Sequence, residues 1–427
     1  MNKKVIVIGA GFGGLSAAGY LVKEGYDVTI YEKNAWVGGR AQVLSKNGYR
    51  FDMGPSWYLL WEEHEKWFRD MGKNRVDYYA IHKLSPQYKV YFENIAYTMP
   101  STLQEVEALF ESIEVGAGAK LKEYLVAAKF KHDISIEQFI YVNMNNTADL
   151  TRFLQPKILK SLSKLDLFSS YQSIVHKYFR HPHLRAMLEY PTVFLGSSAK
   201  NLPAIYTLMN WVDFGQGAFY PEGGFGNVVE SMAQVVKEKG VNIKLNQEVD
   251  KILVENGQGV GVIINGQLHS ADLVVSNADY HYTETKMLEK EYQSLSEQKF
   301  DTLHLAPSTL NFYIGIDKEV PGLEHHTFFF DADWAENFRD VYTSKQFNKK
   351  PLFYLHVPSK TDPTTSPKGK TAIFILIPVA AGLPDTQDTR DWYYQHVLER
   401  IEAKLGIDLR SHIEFVQSYS SSDYTRD

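Results

Sequence analysis

The 427-residue chain contains no cysteine. That absence removes disulfides, thiolate nucleophiles, iron–sulfur clusters, cysteine-held zinc and cysteinyl-linked flavin, while leaving the compartment open. No apolar run reaches the roughly 18 residues that a membrane-crossing helix needs. Lys3 and Lys4 pass directly into a β-branched run, so no signal peptide is read there and the chain reads as cytoplasmic. Basic residues are in deficit, and the net charge of −6 argues against a general nucleic-acid binder. Repeats and low-complexity segments are missing as well. What remains is ordinary globular composition: 44% apolar against 22% charged, in a length that suits two domains or one large composite one.

Glycine, by contrast, is concentrated near the start. Val5-Ile6-Val7-Ile8 is apolar on both faces, the pattern of a central strand in a parallel sheet. Gly9, Gly11 and Gly14 follow as G-x-G-x-x-G, and Leu15 to Leu21 reads as a helix that Gly25 ends. Val28-Thr29-Ile30-Tyr31 is a second strand with Glu32 at its tip. Gly9 permits the tight turn, Gly11 lets backbone approach a pyrophosphate, and Gly14 lets helix and strand pack closely. The helix N-terminus offers its N–H groups to phosphates. Glu32, eighteen residues past Gly14, is placed to accept both hydroxyls of an adenosine ribose, and an acid there disfavours the 2′-phosphate of NADP. Between strand and helix, the motif predicts an adenine-dinucleotide site. Gly38-Gly39-Arg40 stands six to eight residues beyond Glu32, where NAD dehydrogenases run on into their next helix. This second glycine pair brings another backbone segment toward the pyrophosphate, and Arg40 adds a bidentate donor.

The combination, continued by Phe51-Asp52-Met53-Gly54-Pro55-Ser56, resembles the flavoprotein amine-oxidase and carotenoid-desaturase superfamily, and more narrowly the bacterial carotenoid desaturases of the phytoene-desaturase type. Three later stretches carry the narrower resemblance: Gly217 to Ile252, Ala271 to Thr283 and Pro358 to Gly382. The likeness covers nearly the whole chain. It implies FAD, held by Gly9, Gly11, Gly13, Gly14, Glu32, Lys33, Gly38, Gly39, Arg40, Gly54, Pro55 and Ser56. Val249 would give backbone hydrogen bonds to the adenine, and Asn277 would lie at a strand tip near the cofactor. The implied activity is an oxidoreductase that introduces double bonds into a long polyene, with phytoene to neurosporene or lycopene the leading reading. A C30 diapophytoene desaturase, a 3,4-desaturase of hydroxylated carotenoids and a carotenoid isomerase stay open beside it. Two other classes share the scaffold: flavin amine oxidases and non-catalytic Rab-escort-like proteins that bind prenylated partners. Glu32 and Gly38-Gly39-Arg40 argue against the last, since a pure binding module has no need of a complete cofactor site.

The implied fold class is α/β: a Rossmann-like FAD-binding domain, an antiparallel-sheet substrate domain and a helical membrane-facing region. The FAD-binding domain takes residues 1–80 and 217–285, the helical region 81–216, and the substrate-domain strands and helix 286–427. Within the second piece, a glycine-rich turn opens a helix carrying Val228, Val229, Met232, Val235 and Val236 at helical spacing. Alternating strands follow Gly240, Asn265-Gly266 marks a type I′ hairpin turn, and Leu273-Val274-Val275 reads as a buried strand. From residue 308 onward TLNFYIGID, HTFFFD, LFYLHVP and AIFILIPV read as antiparallel strands, with a helix near 390–404 behind them. The resemblance implies a further glycine- and proline-rich segment over the flavin ring. The sequence stops at Asp427, so that C-terminal piece of the FAD-binding domain is expected to be missing.

The implied chemistry asks for an allylic carbon held against the flavin, exclusion of water, and removal of a proton from the neighbouring carbon. Trp57, Tyr58 and Trp61 follow one cofactor motif, while Phe194, Tyr206, Trp211, Phe214, Phe219 and Tyr220 precede the next, so some of them are expected to line an apolar tunnel. Asp149 and Arg152 resemble a polar pair suspected in the family of working near the flavin, and they are the catalytic candidates; a helix cap at Thr147 or Asp149 is the alternative. Glu222 is a weaker candidate. His325-His326 and the pair His181 and His183 have no acid or cysteine at ligand spacing, so no metal is expected. Between Thr151 and Arg180, six basic residues face one acid, Asp166. Lys157, Lys160 and Lys164 share one helical face and Leu154, Ile158, Leu162 and Leu165 another, a pattern suited to an anionic membrane surface. The expected partners are therefore a lipophilic polyene, a membrane surface, and oxygen or a quinone as electron acceptor, with no nucleic acid.

Overall fold

Strand β1 (Lys4–Ile8) is buried from Val5 to Ile8 and paired along both edges. It lies between β2 (Asp27–Tyr31) and the strand Leu273–Ser276, and β2 pairs in turn with Asn242–Lys244; all three pairings are parallel. Helix α1 (Phe12–Lys23) makes the right-handed return from β1 to β2, and Gly25 follows it at φ +89°. This computed structural model describes residues 2–141, 164–303 and 305–426. The chain divides into two units, Met1–His82 with Tyr220–His304 and Lys83–Phe219 with Leu305–Asp427.

The first unit holds the parallel sheet and the helix Gly224–Glu238, whose buried Val228, Val229, Met232, Val235 and Val236 form its inner stripe. A three-stranded antiparallel sheet (Lys251–Glu255, Gln258–Ile264, Gln267–Ser270) packs on its flank, with Val249, Val262 and Ile264 in one cluster with Ile6, Ile8 and Tyr31. Its hairpin turns at Asn265 (φ 50°) and Gly266 (φ 74°), as the Asn-Gly pair requires. Leu273–Ser276 differs from expectation. It is the edge strand of its sheet, with Leu273 exposed, so its apolar composition does not reflect full burial.

The second unit carries a seven-stranded sheet built around Ser308–Ile316 and Thr371–Val379. The helix Gln387–Leu405 covers one face, and Tyr393, Val397, Leu398 and Ile401 bury against Phe312, Ile314, Phe353 and Leu355. The expected all-antiparallel sheet is corrected here: the sheet is mixed. His326–Phe329 pairs parallel with Tyr88–Tyr91, which is followed by the edge strand Ala96–Met99. Tyr88–Tyr91 and Ala96–Met99, and the short strand Ile81–Lys83 before them, come from the stretch read as helical, and the helices Leu103–Ile113, Ala117–Ser135, Tyr171–Tyr178 and Pro182–Glu189 follow them. Among the described residues, no helix is long and apolar enough to cross a membrane.

Candidate functional site

The chain leaves β1 through Gly9 at φ +94°, a conformation that a side chain would strain, and the Gly9 N–H donates to the Tyr31 carbonyl at 2.8 Å. A Cβ on Gly14 would lie 2.0 Å from the Gly9 oxygen, so only glycine lets α1 start this close to the turn. Gly38, at φ +124°, donates its N–H to the Ala10 carbonyl at 2.9 Å and bridges Gly11 in parallel register. A Cβ on Gly39 would be 3.4 Å from the Gly11 Cα, and one on Gly54 would be 2.0 Å from the Arg40 oxygen. Glycine backbone from separate loops therefore converges beside the start of α1. Such bare backbone admits a pyrophosphate at N–H distance, and a dinucleotide fits it.

Glu32 stands at the tip of β2, 4% exposed. Its Oε2 accepts the Ala10 N–H at 2.8 Å and its Oε1 the Asn34 N–H at 2.9 Å. The carboxylate therefore fixes both glycine loops, a second task that the spacing to Gly14 did not reveal. A carboxylate has about four acceptor positions, which leaves room for ribose hydroxyls. Arg40 is exposed, with Nη2 3.7 Å from Asp279 Oδ2. Asn277 lays its side chain over the turn, so that a Cβ on Gly13 would meet its Nδ2 at 2.6 Å. Lys33 and Pro55 are exposed, and Ser56 is buried. The Val249 side chain sits in the apolar cluster beneath Ile8 and Tyr31.

Asp52 was not singled out by sequence reasoning as a site residue. Buried, it accepts the N–H groups of Phe225 at 2.8 Å and Gly226 at 3.0 Å, tying the start of the helix Gly224–Glu238 to the strand Tyr49–Asp52. The packing leaves no space for side chains there: Cβ atoms on Gly224 and Gly226 would stand 2.3 Å from Asp52 and 2.2 Å from Val43. Beside the turn, Phe12 meets His64 and Phe225 edge-on, and Tyr58 packs on His64 at 4.7 Å. Burial there pulls His64 down to about 4, so it is neutral.

Within the second unit, Tyr190, Phe194, Phe328, Phe330, Trp334 and Phe338 line a half-open, almost wholly apolar pocket whose space, including the solvent at its mouth, is about 520 Å³. Of the expected aromatics, Phe194 lines it. Trp57, Tyr58, Phe214 and Tyr220 are core, and Tyr206 is exposed. Asp213, missed in the sequence, accepts a hydrogen bond from the hydroxyl of Tyr190 at 2.9 Å, behind the cavity wall. Burial pushes its carboxyl up to about 7, and Glu189, 2.9 Å from His176 Nε2, is pushed up to about 7 by the same cause. The signal that could have found Asp213 is an acid inside the aromatic run Trp211-Val212-Asp213-Phe214.

Asp149 and Arg152 lie outside the described residues, as do Thr147, Lys157 and Lys160. Glu222 is exposed, 3.1 Å from His82 Nε2. His181 caps the helix Pro182–Glu189 and His183 stacks on Phe92 at 3.9 Å. His325 and His326 are buried, and the structure adds His356 to them from the adjacent strand Phe353–His356. Burial holds all three neutral, His356 down to about 3 and the other two well below the usual imidazole range.

A family model for flavin containing amine oxidoreductases matches residues 12–424. A carotenoid 3,4-desaturase of Haloarcula japonica is 36% identical over 425 residues, covering 99% of this chain and 85% of the relative. A zeta-carotene-forming phytoene desaturase of Myxococcus xanthus is 30% identical over 430 residues, covering 99% and 81%. Among solved structures, an oxidoreductase from Methanosarcina mazei superposes with a TM-score of 0.64 at 20% identity, covering 98% of this chain and 88% of that one. At that identity the likeness is one of fold.

Proposed function

Since this chain belongs to the flavin containing amine oxidoreductase family and, within it, to the carotenoid desaturases, we propose that it desaturates a long polyene. It is an FAD-dependent oxidoreductase. The observation that carries the reading is the glycine cradle at Gly9–Gly14 and Gly38–Gly39, with Glu32 beside it in a chain-long match to carotenoid desaturases.

Bound FAD supplies acceptance of a hydride from an activated C–H bond. The chain's part is placement and exclusion. The Gly9–Gly14 turn and the start of α1 hold the pyrophosphate, Glu32 accepts ribose hydroxyls, and Arg40 donates to a phosphate. Lys33, Gly54, Pro55, Ser56, Val249 and Asn277 complete the proposed binding set. In the second unit, the aromatic cavity takes a segment of the apolar chain and keeps water from it. Asp149 is the proposed acceptor of the departing proton, with Arg152 as its partner.

Phytoene, desaturated to neurosporene or lycopene, is the substrate proposed first. The 36% identity to a 3,4-desaturase favours a second reading, desaturation at the 3,4 position of a more unsaturated polyene. Contact with a membrane surface is part of the proposal. Exposed Ile140 and Tyr141 on one side of the Lys157–Lys160 stretch, and Leu167 and Phe168 on the other, support it. Oxygen or a quinone is the proposed final acceptor.

The test is an anaerobic half-reaction. FAD-loaded protein is mixed with vesicles carrying phytoene or a hydroxylated acyclic carotene, and flavin bleaching is read with product absorbance. Bleaching matched by a longer chromophore supports the proposal, and the productive vesicle chooses between the readings. Bleaching by an amine and by neither polyene overturns it.

A further inference from the structure

In the mixed sheet of the second unit, the strands His326–Phe329 and Phe353–His356 run antiparallel, and His326 stands directly opposite His356. His325 precedes the first strand, and its carbonyl accepts the Val357 N–H at 2.8 Å, which holds the two chain segments together at this point. The three imidazoles are 3%, 0% and 1% exposed. Ring centres are 4.6 Å apart for His325 and His326, 4.8 Å for His325 and His356, and 5.5 Å for His326 and His356. One ring nitrogen from each lies within 4.8 Å of those of the other two.

We infer that His325, His326 and His356 form a binding site for a first-row transition-metal ion that prefers imidazole, zinc first among them. A tetrahedral ion with metal–nitrogen bonds of about 2.0–2.1 Å places its ligand nitrogens about 3.4 Å apart and its imidazole centres about 5 Å apart. The three ring separations bracket that value. His325 Nε2 and His356 Nε2 are already 3.1 Å apart, a pair that shares at most one proton but can give both lone pairs to a cation.

The surroundings match a ligand shell as well. Thr361 Oγ1 is 2.8 Å from His325 Nδ1, and the Tyr354 hydroxyl is 2.6 Å from His326 Nδ1. Coordination through Nε2 keeps both contacts, and such outer partners fix ring orientation and tautomer at metal centres. Neutral imidazole is the form that binds metal. Imidazole ligands without thiolate select zinc, copper or nickel over calcium and magnesium. The fourth position takes solvent, and as hydroxide it offsets part of the buried charge. The ion pins two neighbouring strands together and, through His326, fixes Tyr354, which lines the aromatic cavity. With ligands this buried, loading accompanies folding.

The experiment is metal analysis of the full-length FAD-loaded protein expressed with added zinc and dialysed without chelator. About one zinc per chain is expected, falling to background in His356→Gln with flavin content and circular dichroism unchanged. X-ray absorption on the parent gives an answer that does not depend on the variant folding: three imidazole ligands at the metal support the site. No retained metal in the parent, retention undiminished in a folded His356→Gln, or a coordination shell without three imidazoles overturns it.

Discussion

Glu32 and Gly14 bear the most at the scale of single residues, for different reasons. Glu32→Ala removes a charge-assisted acceptor for ribose, worth roughly 1.5–3 kcal/mol, so FAD affinity should fall about tenfold to a hundredfold. Because Glu32 also accepts from Ala10 and Asn34, the same change loosens both glycine loops. Titration of apoprotein with FAD checks it, and parental affinity in the variant would remove Glu32 from the site. Gly14→Ala drives a methyl group against the Gly9 carbonyl, 2.0 Å from its own Cβ position. The expected cost is about 1–3 kcal/mol in stability, read by urea unfolding, with flavin retention reduced further. Asp213 makes a prediction in pH. Its carboxyl ordinarily titrates near 3.8 and is raised to about 7 in the fold. Between those values the native state holds a proton that the unfolded chain has lost. Stability therefore falls as pH rises from about 4 to about 7, by roughly 4 kcal/mol at most. Asp213→Asn should unfold at higher urea than the parent at about pH 8 and lose that advantage at about pH 4; an advantage independent of pH would contradict the assignment. The spacing from Gly14 to Glu32 was legible in the sequence because the motif is local. Asp213 was not, because its raised pKa comes from burial by segments distant in the chain, against which the hydrogen bonds from Tyr190 and Tyr88 pull it down.

Among the elements, local chemistry proved readable and partnership did not. β1, α1, β2 and the Asn265-Gly266 hairpin follow from residues within a few positions of each other, so each stands where its pattern put it. Leu273–Ser276 has the same apolar look as β1 yet forms a sheet edge with Leu273 exposed, since a short apolar run records neither how many strands flank it nor how fully its faces are covered. Tyr88–Tyr91 joins the second unit's sheet by parallel pairing with a strand more than two hundred residues later, beyond the reach of any local pattern. The convergence of His356 on His325 and His326 belongs to this class too. The helix Gly224–Glu238 supplies the prediction at this scale. Its first turn is tied down by Asp52, so Asp52→Ala leaves two buried N–H groups without their acceptor and should cost about 3 kcal/mol. Hydrogen exchange checks this locally, with protection expected to drop first at the start of that helix.

For the molecule as a whole, the two units contribute separate requirements of the proposed reaction. The first has a dinucleotide cradle of bare glycine backbone with an acid beside it. The second has an aromatic cavity with almost no polar wall. Family membership fixes the flavin chemistry, and the polyene is the step that the proposal adds. Pigment analysis by HPLC tests that step most directly, in cells that accumulate phytoene or a hydroxylated acyclic carotene and express this chain. New pigments with more conjugated double bonds than the accumulated polyene are the predicted result. Unchanged polyenes in both hosts, with the protein folded and yellow from bound flavin, would contradict it.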